Sequence, residues 1–389
     1  MSNVNQLEFN QAAAIINELQ EQVTGKKSIA PVNTSEFISV ATSLAQAGYD
    51  PILASLTQMI TRTIFSIRPY SRRFSGLQVT NQQYGAITRK IQLADKPFED
   101  DQRFELVDGQ AIDHYKVNKP NALQTNFYGA NTYQKSYTIF RDQLDNAFTG
   151  PDQFSEFITM ITTNASDMVE QAHEDTARAT IANFIGGKVA ADNGVIHLLT
   201  EYNELTGLSL DAQSVYQPEN FKPFMEWVYS RIEALSQKMT ERSSLFQIEI
   251  DDKPINRHTP QRDQRIYLYA PAKAQIEARV LANTYHDNYI KYADTEAVNF
   301  WQNILDPEKI NVTPSYINNK GEIITGSETT VDKVFGIMFD RDTMGYTVVN
   351  QWSGTTPLNV SGGYWNTFLH FTEKYWVDYT EKGIILLLD

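Results

Sequence analysis

Pro151-Asp-Gln-Phe-Ser-Glu-Phe-Ile-Thr-Met-Ile-Thr-Thr-Asn-Ala-Ser-Asp-Met-Val-Glu170, continued by Gln171-Ala-His-Glu-Asp-Thr-Ala-Arg-Ala-Thr-Ile-Ala-Asn-Phe-Ile185, decides how the rest of the chain is read. Phe154, Ile158, Ile161, Ala165, Met168, Ala172, Ala179 and Ala182 recur as one stripe at helical spacing. Asp152 and Gln153 favour a helix start, and Pro151 suits a place before or in the first turn. Gly186-Gly187 is the expected stop. At about 1.5 Å per residue such a helix is roughly 50 Å long, a rod that a compact enzyme domain seldom needs.

Upstream of this helix the character changes twice. Leu7 to Gln22 reads as a short amphipathic helix, Lys26 to Pro31 as a break, and Thr34-Ser35-Glu36 opens a second helix toward Ala47. Pro51 opens a third toward Phe65. This region is only modestly apolar and reads as an arm packing on something other than its own core. From Arg68 to Gln134 no helix pattern appears. Strand-like pieces stand at Gly76–Thr80, Ala86–Leu93, Phe104–Val107 and His114–Val117, with Asp108-Gly109 as a turn. A long, weakly apolar stretch of this kind is expected to be an extended arm supported by another surface.

Downstream, helices are expected at Pro218 to Lys238, Pro271 to Tyr289 and Val298–Leu305. Strands are expected at Leu245–Ile250, Ile266–Tyr269, Lys309–Thr313 and Val334–Phe339. The end is strand-rich: Gly345–Asn350, a break at Ser361-Gly362-Gly363, an alternating run Phe368–Tyr379, and the apolar Ile384–Leu388. No internal repeat or low-complexity tract is present.

The 389 residues carry 41% hydrophobic and 21% charged side chains, which predicts a folded core. A formal net charge of −14 argues against a general nucleic-acid binder. The chain has no cysteine, so disulfides, thiolate catalysis and cysteine-type metal sites are excluded. The start at Met1 lacks a basic segment followed by an apolar run and is not read as a secretory signal. No apolar stretch has the length of a membrane span.

Candidate chemistry is sparse. Gly186-Gly187-Lys188 has neither the glycine spacing of a phosphate loop nor the following Ser or Thr, since Val189 stands there, and the glycines close a helix where a phosphate loop opens one. His173-Glu174 lacks the second histidine of a zinc-protease motif, because position 177 is Ala, and is read as polar-face. His114, His197, His258, His286 and His370 are scattered without ligand spacing. Asp340-Arg341-Asp342 and Asp251-Asp252 are read as acidic turns in preference to catalytic or metal-binding pairs. Arg62, Arg68, Arg72, Arg73, Arg89 and Lys90 form a basic stretch. It suits nucleic-acid contact or pairing with an acidic segment such as Glu99–Asp101 of the same or a neighbouring copy. No catalytic, cofactor-binding or metal residue is assigned, and no cofactor is expected.

Three stretches carry a resemblance. Tyr137-Thr-Ile-Phe-Arg-Asp-Gln-Leu-Asp-Asn-Ala-Phe148, running into Phe154 and Phe157, resembles the lead-in to the spine helix in short-tailed phages of the phi-twenty-nine type. Val334-Phe-Gly-Ile-Met-Phe-Asp-Arg-Asp-Thr-Met-Gly345 resembles a late strand and acidic turn of phage capsid subunits. Gly363-Tyr-Trp-Asn-Thr-Phe through Tyr375, with the closing apolar strand, resembles that family's C-terminal return. In order and spacing they resemble the major capsid proteins of tailed double-stranded-DNA phages, which have the Hong Kong ninety-seven fold.

The resemblance implies an α+β fold with residues 1–70 as an N-terminal helical arm and 71–135 as an extended β-hairpin loop reaching over a neighbouring subunit. Residues 136–190 would be a peripheral domain with the spine helix, 191–362 an axial domain, and 363–389 strands returning to the peripheral domain. The helix stripe would face its own subunit's sheet, leaving Asp167, Glu170, His173 and Glu174 to solvent or to neighbours' arms. The chain ends at Asp389 directly after a core strand, so no appended immunoglobulin-like domain is expected, and no Lys–Asn pair is assigned a cross-link.

The implied function is non-enzymatic: self-assembly into the icosahedral or prolate head shell enclosing the phage genome, within the virion, after assembly in the bacterial host cytoplasm. The implied partners are further copies in hexamers and pentamers, a scaffolding protein, a portal, minor capsid or decoration proteins and weakly contacted DNA, with no membrane. Two alternatives stand beside it. One is an encapsulin-type nanocompartment shell protein. The other is an extracellular carbohydrate-binding or hydrolytic β-protein, suggested by the 20 Tyr and 20 Phe and the many carboxylates.

Overall fold

The strand Tyr364–Val377 shows how sequence alternation becomes architecture. In a strand successive side chains point to opposite faces, and here Trp365, Leu369 and Phe371 are buried on one face. In this computed structural model the strand pairs antiparallel with Ala130–Phe140, from Tyr364 opposite Phe140 to Lys374 opposite Ala130. Met344–Thr355 completes the three-stranded sheet on the other side of Tyr364–Val377. The structure describes residues 9–25, 30–55, 73–79, 88–96, 106–109, 111, 115, 117, 119, 121–127, 129–251, 253–279 and 295–389.

The chain forms two compact units. The first draws on residues 1–84, 130–176 and 347–374. Its core joins Ile139, Trp365 and Leu369 of the sheet to Phe154, Phe157, Ile158 and Ile161 of the long helix. The helices Phe9–Thr24 and Thr34–Ala47 belong to the same core through Ile16, Leu19, Phe37 and Leu44. Phe37 meets Phe154 edge-on at 5.7 Å. The second helix is capped by Asn33, whose side chain accepts from the Glu36 backbone N–H at 2.9 Å. The expectation that this region packs away from its own core is therefore corrected: small and apolar residues at helical spacing suffice to bury one face of each helix. Residues 49–55 are helical, and the expected continuation toward Phe65 lies outside the described residues.

The second unit draws on residues 85–129, 177–346 and 375–389. Its five-stranded sheet runs in the order Val195–His197, Gly383–Leu387, Val334–Asp340, Gln264–Tyr269, Thr295–Val298. Val334–Asp340 is buried along its whole length, as a central strand covered on both faces must be. The helix Pro218–Thr240 seals one face, setting Phe224, Met225, Val228, Ile232 and Leu235 against Ile266, Leu268, Met338, Ile384 and Leu386. The shorter helix Leu198–Thr206, which sequence periodicity missed, ends at Gly207 in the left-handed region with φ 70°.

Several expectations are corrected. The long helix does not stop at Gly186-Gly187 but runs Pro151–Ala190, about 60 Å at 1.5 Å per residue. The two glycines are packing positions: a Cβ at Gly186 would collide with Val312, and one at Gly187 with the Tyr379 hydroxyl. Leu245–Ile250 is irregular, not a strand. Its carbonyls are taken by other groups: Lys188 Nζ donates to Phe246 O at 2.6 Å and Asn193 Nδ2 to Gln247 O at 3.0 Å.

Val298–Leu305 is not a helix. The strand Thr295–Val298 is followed by bends pinned by buried Trp301, whose indole donates to Val334 O at 2.8 Å. Of the strand expected at Gly76–Thr80, residues 76–79 are described and hold the end of a short turn of 3-10 helix, Ser75–Leu77, in place of a strand, and Thr80 lies outside the described residues. Leu106 and Val107 are not in a strand, and most of Phe104–Val107 and His114–Val117 lies outside the described residues. The helix expected at Pro271 to Tyr289 is described as Ala270–Arg279, its remainder lying outside them.

Candidate assembly surfaces

The extended region contains a hairpin, Thr88–Leu93 paired antiparallel with Ala122–Phe127, in the second unit. Alternation gives it two unlike faces. On the inner face Lys90 Nζ lies 2.7 Å from Asp378 Oδ2 and also pairs with Glu381. Gln92 Oε1 accepts from Arg257, whose Nε lies 3.4 Å from Glu381 Oε1. Just past the strand, Asp95 accepts from Arg242 at 2.6 Å and from the Asn256 backbone N–H at 2.7 Å.

Burial alone would pull Lys90 down, but Asp378 and Glu381 outweigh it and hold the ammonium above its ordinary value. Burial pushes the Glu381 carboxyl up, partly offset by Lys90 and Arg257. On the outer face Arg89, Ile91 and Leu93 are exposed, Ile91 at 59% and Leu93 at 61%.

In the first unit a groove of about 880 Å³ runs between the long helix and the strands Ala130–Phe140 and Tyr364–Val377. Met160, Met168, Ala172, Leu369 and Phe371 contribute its apolar surface, and Glu156, Asp167 and Asp175 its carboxylates. The apolar stripe read from the sequence therefore divides. Phe154, Ile158, Ile161 and Ala182 are buried, Met168 and Ala172 line the groove, and Ala179 is exposed.

The polar positions also depart from expectation. His173 and Glu174 are 5% and 2% exposed, so neither faces solvent. His173 Nδ1 is hydrogen-bonded to Glu373 Oε1, Thr176 Oγ1 donates to Glu373 Oε2 at 2.5 Å, and Tyr133 Oη lies 3.0 Å from Thr176 Oγ1. Phe371 meets the His173 ring edge-on at 5.6 Å. The cluster is a buried tie between helix and sheet. Sequence reasoning missed Glu373, although it shares the alternation of Trp365, Leu369 and Phe371.

The other sequence candidates are spent on structure. Lys188 is fully buried, donates to Asn193 Oδ1 at 2.7 Å and to Phe246 O, and is pushed down to about 7 by burial. Asp340 accepts from the Asp342 backbone N–H at 2.8 Å within a turn, and burial raises its carboxyl. Arg341 reaches Asp263 at 3.2 Å. Asp251 lies in a turn, and Asp252 is outside the described residues.

Arg62, Arg68, Arg72, His114, His286 and Glu99–Asp101 are likewise outside them, while Arg73 is exposed. His197 pairs with Asp389 at 2.7 Å, His258 is exposed, and His370 stacks on Trp352 at 3.9 Å. Among the described residues no cluster of His or carboxylates has the arrangement to hold a metal ion, and no helix is long and apolar enough to cross a membrane.

A family model described as Phi29-like phage major capsid protein matches residues 12–386. No curated protein sequence is similar to the chain. Among solved structures, a capsid chain of Staphylococcus phage Andhra is 12% identical with a TM-score of 0.54, covering 84% of this chain and 86% of that one. A chain in the structure of the head fiber and inner core protein gp22 of native bacteriophage P68 is 12% identical with a TM-score of 0.50, covering 82% and 85%. At such identity the likeness is one of fold.

Proposed function

The chain belongs to the Phi29-like phage major capsid protein family, and from that premise we propose how its parts share the work of building a phage head. Its function is that of a head shell protein of the virion. The observation that carries this is the family match over residues 12–386, which takes in both compact units. The encapsulin and carbohydrate-binding alternatives have no comparable support.

Within that function, residues 1–70 serve as the N-terminal arm and 71–135 as the extended loop that reaches over a neighbour. Residues 136–190 form the peripheral domain with the spine helix, 191–362 the axial domain, and 363–389 the returning strands. Copies associate as hexamers and pentamers, with a scaffolding protein and a portal as assembly partners and minor or decoration proteins added to the shell. Its role is structural, and assembly takes place in the host cytoplasm. The net charge of −14 keeps contact with packaged DNA weak, because a surface of like sign releases no phosphate counterions. Many modest contacts between copies then hold the shell together through multivalency.

Expression with and without a scaffolding partner, followed by electron microscopy, tests the proposal. Shells, tubes or capsomers are expected. A protein that stays monomeric with the scaffold supplied would end it.

A further inference from the structure

We propose that the base of the hairpin Thr88–Leu93/Ala122–Phe127 is a latch that opens in acid. At neutral pH Lys90 locks the hairpin onto the turn that carries Asp378 and Glu381, and protonation of Glu381 frees it to swing about Asp95. The latch belongs to the single chain before assembly and does not rest on the shell function.

The hairpin is attached to its unit by polar contacts and by little else. A two-stranded sheet is marginal alone. Among the hairpin's described apolar side chains, Ile91 and Leu93 are exposed, and Leu123 and Phe127 on the inner face are half-buried. None of them joins the apolar core that packs Pro218–Thr240 onto the five-stranded sheet. The polar contacts fall in two places. At Asp95 the backbone N–H donates to Pro254 O at 2.8 Å, and the carboxylate accepts from the Asn256 backbone N–H and from Arg242. Backbone bonds that survive a change of charge make this end the hinge. Lys90 lies five residues further up, about 17 Å of extended chain, where every contact to the turn is an ion pair.

Glu381 is the member whose charge decides the latch. Three charged groups face it: Lys90 from the hairpin, Arg257 from the segment that also reaches Gln92, and Asp378 from its own turn. Burial pushes its carboxyl up, Asp378 adds to this, and the two cations oppose it. One of those cations departs with the hairpin. Beside Asp378 and without Lys90, the carboxyl holds its proton more tightly. The open hairpin therefore favours the proton that the closed one gives up, and by linkage acid favours opening. Asp340 is the competing carboxyl, also raised by burial and opposed by Lys90, but it is bonded to the Asp342 backbone N–H within its own turn.

The chain has no cysteine, so one engineered thiol reports alone. A nitroxide label at Ile91→Cys would follow the hairpin, and one at Glu233→Cys, exposed on Pro218–Thr240, the folded unit. Both would be read on unassembled chain between pH 7 and 5. The hairpin label is expected to gain a mobile population that grows by up to about tenfold per pH unit, the limit for one linked proton, while the helix label stays unchanged. Glu381→Gln is expected to show that population already at pH 7 and to lose the pH dependence, and Asp340→Asn to respond as the wild type does. A wild-type hairpin label still immobile at pH 5 would overturn the proposal. So would a Glu381→Gln chain that stays closed at pH 7 or still opens with acid, a response that disappears in Asp340→Asn, or a helix label that loosens in step with the hairpin.

Discussion

Lys90 and Asp378 stand 288 positions apart in the chain and meet at 2.7 Å, tying the first strand of the hairpin to the turn that precedes the closing strand. Asp378 has a side chain 1% exposed and Glu381 9%, while Lys90 keeps 26%. Removing Lys90 takes the ion-pair partner from buried Asp378 and leaves Glu381 with Arg257 alone of its two cations, which is more costly than the pair itself is stabilising. Lys90→Met is therefore expected to destabilise the chain by about 3 kcal/mol. Chemical denaturation would measure this, and hydrogen exchange would show faster exchange in Thr88–Leu93 than in the five-stranded sheet. Unchanged exchange in the hairpin would refute the anchoring role.

Gly187 offers a test by sign. In an ordinary helix interior Gly→Ala stabilises by about 1 kcal/mol. Here the added Cβ would collide with the Tyr379 hydroxyl, which donates to Asn183 O at 2.8 Å and cannot swing away without losing that bond. Gly187→Ala is expected to destabilise by about 1–3 kcal/mol. A stabilised variant in thermal unfolding would show that the approach at this point is looser than described.

How much of this was legible follows the range of the signal. The long helix, the buried strand Val334–Asp340 and the alternating Tyr364–Val377 rest on local periodicity, and each stands within a few residues of its expected bounds. What periodicity missed depends on partners far away in sequence. Gly186 and Gly187 read as a helix stop because Val312 and Tyr379, which make them necessary inside the helix, lie more than a hundred residues downstream. Leu245–Ile250 reads as a strand because nothing local announces that Lys188 and Asn193 will take its carbonyls. The groove was legible only as a stripe too long for one core.

The buried tie between helix and sheet gives a third prediction. His173→Leu keeps the bulk of the imidazole but takes one hydrogen-bond partner from the Glu373 carboxylate, which is 0% exposed and is left with the bond from the Thr176 hydroxyl. A loss of about 3 kcal/mol is expected. The double variant His173→Leu with Glu373→Leu removes both polar groups and should recover most of that loss, because a fully apolar replacement leaves no unpaired charge. If the double variant is no more stable than the single one, the pair is not the tie described.

Lys188 supplies the pH dependence. Its ammonium is buried and offered only neutral acceptors, Asn193 Oδ1 and Phe246 O, and burial lowers it from 10.5 to about 7 despite the attraction of Asp378. Between those two values the unfolded chain holds the proton and the folded chain does not. The unfolded state then binds more protons, so stability rises with pH across that window and is lowest, for this group, below pH 7. At about 1.4 kcal/mol per unit, the rise attributable to Lys188 is on the order of 5 kcal/mol. Lys90, held above its ordinary value, acts oppositely and only at the alkaline end, where its stabilisation is lost. Comparing the wild type with Lys188→Met isolates the first effect, since Lys90 is common to both. Denaturation midpoints at pH 7, 8 and 9 should climb in the wild type and run flatter in Lys188→Met, and parallel curves would rule out a depressed Lys188.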